Sequence, residues 1–372
     1  MEADLMTTLS HPVSPADIEK ELNRIWESLE TTNVARACLF NLIFFTWKNS
    51  RTPYIEKIAQ KVIEKFPARV IFVAVDRETT QNFLKTEVSI LSSSKGEFDV
   101  SCDYIHIETG GNDTQKVPFL LLPHILPDLP VYLLWGQDLC HQDPLFLALK
   151  TFAGRLIFDS ETTDNLPKFA SRLLEQHQTI GSDIADLNWA RMESWRELFS
   201  IAFHSKEKLA QVARAKKISL TYNSRGTAFF CHTHIQALYL QAWLSCQLGW
   251  SFEGLKREGT TLIFTHLHKQ GSVEITLSCA SYDELPPGLI LSAEITTSEE
   301  EHFSFTRDPK SPNYVLCQHS SKSICDLPTH YPLTKAESGG SLVKEICHRG
   351  TSEHFLKVLN LIKTMDNLTL CS

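Results

Sequence analysis

Asp128-Leu129-Pro130-Val131-Tyr132-Leu133-Leu134-Trp135 is the stretch that decides the fold. A polar turn, Pro127-Asp128, opens directly into an unbroken apolar run. A run of about 4–8 residues introduced by turn residues reads as a strand buried on both faces. Pro130 fits only at the first position of such a strand, because proline cannot donate into a ladder. Strands covered on both faces belong to parallel sheets flanked by helices, so the stretch predicts an α/β unit.

The flanking sequence supplies the other layers. Ser14-Pro15-Ala16-Asp17 has the cap, proline and acid of a helix start, and Ile18, Leu22, Ile25, Trp26 and Leu29 follow at helical spacing. Residues 36–47 read as a strand dense in Leu, Ile and Phe. Pro53 then opens a helix with Ile55, Ile58, Ala59, Val62 and Phe66 on one face, which Pro67 ends. Residues 69–75 read as a second buried strand, and 87–91 and 98–107 as a hairpin around Ser94-Lys95-Gly96. Residues 116–126 read as helical despite Pro118 and Pro123. A helix near 144–152, a strand at 155–158 and a helix near 166–176 complete the alternation. The best boundary is 177–184, with Gly181 and Ser182. The expectation is two domains: residues 1–180, α/β with a mostly parallel, helix-covered sheet, and residues 181–372, α+β with an antiparallel sheet and helices.

The second half has another texture. Residues 186–203 read as one helix with Leu187, Trp195, Leu198, Phe199 and Ala202 inward, and 233–248 as a helix apolar nearly all round, hence central to a core. Val273, Ile275, Leu277 and Cys279 alternate with Glu274, Thr276 and Ser278; Leu289, Leu291, Ala293 and Ile295 repeat the pattern. Alternation means one buried and one wet face, as in antiparallel sheets. Helices at 341–349 and 352–365 close the chain.

A length of 372 residues suits two domains, and 42% hydrophobic with 22% charged residues is ordinary for a folded protein. The net charge of −8 excludes the basic footprint of a nucleic-acid binder. The densest basic cluster, Arg214-Ala215-Lys216-Lys217, reads as a solvated helix end. The apolar-leaning runs 39–47 and 235–248 fall short of the ~20 residues of a membrane helix, and the acidic N-terminus is no secretory signal. A cytoplasmic protein without membrane contact is expected. The ten cysteines are scattered without a C-x-x-C pair, so most read as small buried hydrophobes.

Chemistry-bearing motifs are sparse. An α/β sheet that binds nucleotides needs glycines where backbone meets phosphate, yet no G-x-G-x-x-G or G-x-x-x-x-G-K-[ST] occurs. Gly110-Gly111-Asn112-Asp113 reads as a plain turn and Gly339-Gly340-Ser341 as a cap. Cys231, His232 and His234 are candidate metal ligands, with His266 and His268 as a second pair. The spaced pairs of a zinc site are absent, so ordinary side chains are the preferred reading. No G-x-S-x-G elbow occurs. The expectation is no catalytic residue, no bound metal and no cofactor.

Five segments in order resemble the OpcA family, the assembly factors of glucose-6-phosphate dehydrogenase. They are 18–26 with Ala35-Arg36-Ala37 and Asn41-Leu42; Phe66-Pro67-Ala68-Arg69-Val70, where the family usually has P-S-R-V; 121–135; 186–196, similar to D-L-x-W-x-R-L-x-x-W-R; and 242–250, similar to W-L-A-x-x-L-G-W. The resemblance spans roughly residues 15–250. It implies a non-catalytic factor that binds the dehydrogenase, supports its oligomeric assembly and raises its activity, controlling entry into the oxidative pentose phosphate pathway. The open alternatives are a sugar-phosphate or nucleotide-binding enzyme of that pathway and a thiol or metal redox sensor. Trp189, Trp195, Arg196, Trp243 and Trp250 are the partner-binding candidates, since tryptophan and arginine are enriched at interface hot spots; core packing is the competing role for the tryptophans. Asn41 and Arg36, in or before a buried strand, need polar partners.

Overall fold

The computed structural model describes residues 5–7, 10–29, 34–94, 99–229, 232–308, 310–323, 325–333, 338–348, 350–365 and 368. The chain forms two compact units: Met1–Asp159 with Thr179–Leu187 and Ser338–Gly350, and Ser160–Gln178 with Asn188–Glu337 and Thr351–Ser372.

The first unit is built on strands β1 (Leu5–Thr7), β2 (His11–Val13), β3 (Val34–Arg36), β4 (Asn41–Trp47), β5 (Arg69–Asp76), β6 (Phe83–Ser94), β7 (Asp99–Gly110), β8 (Val131–Trp135), β9 (Arg155–Phe158) and β10 (Asp183–Asp186). Their order is β1-β6-β7-β5-β4-β8-β9-β10, with β2 on β6 and β3 on β7. From β7 to β10 every neighbouring pair is parallel, while β6 runs antiparallel to β7. The sheet is thus mostly parallel, as the apolar runs predict. Asp128 takes a left-handed turn conformation (φ 64°) just before β8, which starts one residue after Pro130. Phe45 of β4 stacks on Trp135 of β8 with ring centroids 4.0 Å apart. Ile55, Ile58, Ala59, Val62 and Ile63 bury one face of the helix Thr52–Ile63 against the sheet core.

Two buried polar side chains of this unit, Asn41 and Asp103, are paired, as a low-dielectric interior favours. The Asn41 side-chain amide donates to the Leu126 carbonyl at 3.0 Å and accepts from the Leu126 N–H at 2.8 Å. Asp103 accepts from Arg69, Arg36 and the Trp26 indole. Burial pushes the Asp103 carboxyl up, but Arg69, Trp26 and Arg36 together outweigh it and hold it below its usual value.

Four local expectations change. The single strand at 36–47 is two, β3 and β4, because the chain steps from the side of β7 to the sheet centre across residues 37–40. Residues 183–186 form β10, and the single helix at 186–203 is two, Leu187–Arg191 and Glu193–Ala202, broken at Met192 (φ −97°, ψ 12°). In the basic cluster, Arg214 donates back to the Ala210 carbonyl at a helix end, but residues from Ala215 open a strand. The helix Ser338–Cys347 lies in the first unit, with Leu342 and Ile346 in the same core cluster as the Thr52–Ile63 helix. Arg155 secures it, pairing with Glu345 at 2.7 Å and donating to the carbonyls of His348 and Gly350. The Ser94-Lys95-Gly96 turn lies partly outside the described residues; the strands flanking it pair as a hairpin.

The second unit carries β11 (Ala215–Asn223), β12 (Ser251–Glu258), β13 (Thr261–His268), β14 (Gly271–Ala280), β15 (Ile290–Thr297), β16 (His302–Arg307), β17 (Tyr314–Ser320) and β18 (Thr329–Pro332). The order is β12-β13-β14-β11-β15-β16-β17-β18, antiparallel except between β11 and β14. Ile218, Leu220, Phe264, Ile275, Leu277, Ala293, Ile295, Phe303 and Phe305 make its buried face. The intervening Ser219, Thr221, Thr265, Thr276, Ser292, Glu294 and Thr306 are half-exposed or exposed. The helix Ile235–Leu248 is buried at every residue from Ile235 to Ser245, and Gly249 ends it in the left-handed region (φ 68°). Among the described residues no helix is long and apolar enough to cross a membrane.

Candidate functional site

In open parallel sheets, ligands bind beyond the carboxyl ends of the strands, near the point where the strand order reverses. Here β4, β5, β7, β8, β9 and β10 are first to sixth along the chain, so the order across the sheet is 3-2-1-4-5-6, reversing between β4 and β8. Beyond the ends of β4, β5 and β7 lies a cleft of about 510 Å³, lined by Trp47, Arg77, Thr114, Phe119, Asp143 and Leu145 among others.

Each wall has a local cause. Trp47 ends β4 and lays its ring under the Arg77 guanidinium at 3.7 Å. Asp143 caps the helix Pro144–Leu149, accepting from the Leu145 N–H at 2.8 Å, and its other oxygen holds Arg77 at 2.9 Å. Asp76, at the end of β5, accepts from the amides of Glu78 and Thr79 and so shapes the loop carrying Arg77. The Trp47 indole N–H is buried without a hydrogen-bond partner. Phe119, 79% exposed, stands at the rim; Leu122, close to it in sequence, and Leu147, on a helix in contact with its own, are also exposed. The described lining holds no His, Cys, Ser or Lys; its polar side chains are Asp76, Arg77, Thr79, Thr114, Gln115 and Asp143. The cleft presents a stacked aromatic–guanidinium floor, an ion pair and an apolar rim.

The sequence-derived candidates lie in the second unit. Trp189, Trp195, Trp243 and Trp250 are all buried. Phe199 brings two of them together, with centroids 5.9 Å from Trp195 and 6.4 Å from Trp243. Arg196 is half-buried, stacks 3.7 Å over Trp189 and donates to its carbonyl. Trp250 stands apart, beside His268.

Of the metal candidates, Cys231 lies outside the described residues. His232 faces Asp164 at 3.4 Å, and its ring centroid is 6.0 Å from that of His234. Burial, aided by His232 and Arg257, depresses the His234 pKa to about 4. Burial likewise lowers His266 to about 4, where it bonds Gln241 at 3.1 Å. Among the described residues no three His, Cys, Asp or Glu side chains gather as a metal site. Burial pushes the thiol of Cys102 up to about 12 and those of Cys246 and Cys317 up to about 11, the opposite of reactive thiolates.

Two family models match in succession: the glucose-6-phosphate dehydrogenase subunit N-terminal domain over residues 59–175 and the C-terminal domain of the same subunit over 182–359. The chain belongs to the OpcA family. The OpcA of Synechocystis sp., named as an OxPP cycle protein, is 27% identical over 197 residues, 52% of this chain and 40% of its own length. The OpcA of Nostoc punctiforme is 24% identical over 223 residues, 59% of this chain and 45% of its own length. The matches thus span less than half the length of these OpcA relatives. Among solved structures, KijD10, a 3-ketoreductase from Actinomadura kijaniata in complex with TDP-benzene and NADP, aligns with a TM-score of 0.50. It is 10% identical, over 89% of this chain and 98% of that one, a likeness of fold alone.

Sequence reasoning missed the cleft of this OpcA-family chain. Trp47, Arg77, Phe119 and Asp143 come from four separate segments, and only the sheet order brings them together. One signal was available: Asp76 ends the second parallel strand and Arg77 follows it, where dinucleotide-binding sheets read the ribose.

Proposed function

We propose that the chain is a non-catalytic assembly factor and allosteric activator of glucose-6-phosphate dehydrogenase, favouring its active oligomer and flux into the oxidative pentose phosphate pathway. The observation that carries this reading is the ordered match to both subunit domain models, across 59–175 and 182–359. The cleft offers a surface for contacts, with the Arg77–Trp47 stack, the Arg77–Asp143 pair and the exposed Phe119. A factor of this kind raises activity only through tighter binding to the active form than to the inactive one. Arg196 is the candidate contact we favour, because it is the least buried of the five and is already ordered on Trp189.

The test is co-purification of the chain with the dehydrogenase from the same cell, followed by the enzyme's activity with and without it. Association at micromolar concentration with raised activity is expected; no association at that concentration sinks the reading. Arg196→Glu should weaken association about tenfold or more while the chain melts within a few degrees of the parent. Unchanged association would remove Arg196 and leave the assembly reading intact.

A further inference from the structure

The order 3-2-1-4-5-6 belongs to sheets whose first βα turn holds the diphosphate of a dinucleotide, on free backbone N–H groups approached through glycine. The equivalent turn here is Trp47-Lys48-Asn49-Ser50-Arg51-Thr52-Pro53, without a glycine. Four of its amides are already used, Lys48 N–H on the Val75 carbonyl at 2.8 Å and three within the turn. Asn49 N–H donates to Thr52 Oγ1 at 3.1 Å, Arg51 N–H to Asn49 Oδ1 at 2.8 Å, and Thr52 N–H to the Asn49 carbonyl at 3.1 Å. Pro53 has no N–H, and the next two amides, of Tyr54 and Ile55, return to the Arg51 carbonyl at 2.9 and 3.0 Å.

The crevice between β4 and β8 is closed in the same way. Gly136 donates to the Phe45 carbonyl at 2.9 Å, so close that a Cβ on residue 136 would itself stand 2.9 Å from that oxygen. One residue on, Gln137 Nε2 donates to Thr46 Oγ1 at 3.3 Å. Arg51 then reaches from the turn after β4 to Asp159, just past β9, at 3.1 Å, with side chains 7% and 0% exposed. Since β8 lies between β4 and β9, the ion pair bridges the strand order's reversal point.

We propose that this turn is closed to dinucleotides, and that the Arg51–Asp159 pair ties the first βα turn to the far half of the sheet in place of a coenzyme diphosphate. A diphosphate drawn to Arg51 would have to break its buried pair with Asp159 and bring its own negative charge beside that carboxylate, which is strongly unfavourable. The residues therefore do not fit the group that the fold accommodates elsewhere. The inference stands whether or not the chain assists the dehydrogenase, because its tests are read on the chain alone.

The full chain is titrated with NAD and NADP, oxidised and reduced, by calorimetry and by melting temperature. At about 2 mM, a ligand with a Kd of about 100 µM would raise the melting temperature by several degrees. The expected shift is under about 1 °C with no saturable heat; saturable binding at or below about 100 µM overturns the proposal. Arg51→Met should lower the melting temperature by about 10 °C, and adding Asp159→Leu should recover at least about half of that loss, since the buried carboxylate that lost Arg51 is then gone. If Arg51→Met does not fold, a folded double variant is the same recovery. No loss in the single variant, or no recovery in the double, overturns the bridging role.

Discussion

The two sheets of this chain handle their faces differently. The first is buried on both sides at its centre: every residue of β4 from Asn41 to Thr46 is inaccessible, as is every residue of β5 from Arg69 to Val75. The second alternates, with Leu277 buried between half-exposed Thr276 and Ser278 on β14. A two-sided strand leaves no position at which a side chain can change freely. A one-sided strand leaves every second position free of packing constraint, so its outer face can be spent on solubility or on contacts.

Substitutions should separate the two designs. The largest effect is expected from Phe45→Ala, which removes the ring stacked on Trp135 and should cost about 4 kcal/mol in denaturant unfolding of the full chain. A loss under about 1 kcal/mol would break the view of β4 as a tightly filled layer. Asn223→Ala in the second unit comes next. The buried Asn223 amide lies within hydrogen-bond reach of the carbonyls of Tyr282, Leu285 and Pro286 and accepts from the Tyr282 N–H. Its removal should cost about 2–3 kcal/mol, measured in the same way.

The third effect depends on pH. His266 is buried and its pKa falls from 6.5 to about 4. Between those values the unfolded imidazole binds a proton that the folded one refuses, so stability is full above about pH 6.5 and falls as the pH drops toward 4. The loss should be on the order of 2 kcal/mol by about pH 4.5. It should shrink in His266→Phe; an unchanged pH slope in that variant would assign the loss to other groups. The smallest effect should come from Thr276→Ala on the outer face, within about 0.5 kcal/mol. A cost near that of Phe45→Ala would show that this face is covered and would erase the contrast between the sheets.

Much of this architecture was readable because each sheet writes its environment into a short local pattern. The run ending Leu133-Leu134-Trp135 signals burial on two sides, and the alternation around Leu277 signals burial on one. What escaped was set by distant partners. Strand β10, Asp-Ile-Ala-Asp, is too short and too polar at its ends to register, and becomes a strand because β9 offers it a parallel edge. The helix Ser338–Cys347 was recognisable as a helix from Leu342, Val343 and Ile346, but an apolar stripe does not name the surface it will meet. The cleft was illegible for the same reason, since Trp47, Arg77 and Asp143 become neighbours only through strand order. The family match rested on tryptophans and arginines whose spacing is local, which is why it could be made before any contact was known.

The docking of residues 338–350 into the first unit has a consequence for synthesis. A ribosome delivers Ile55, Ile58 and Val62 early and Leu342 and Ile346 nearly three hundred residues later. At the pace of translation, about 5–20 residues per second, that interval lasts on the order of tens of seconds. Through it the first sheet can assemble while the stripe that will receive the late helix waits uncovered, and Arg155 waits without Glu345. The nascent chain therefore passes through a stage in which its earliest-made layer is still open to other apolar partners, chaperones among them.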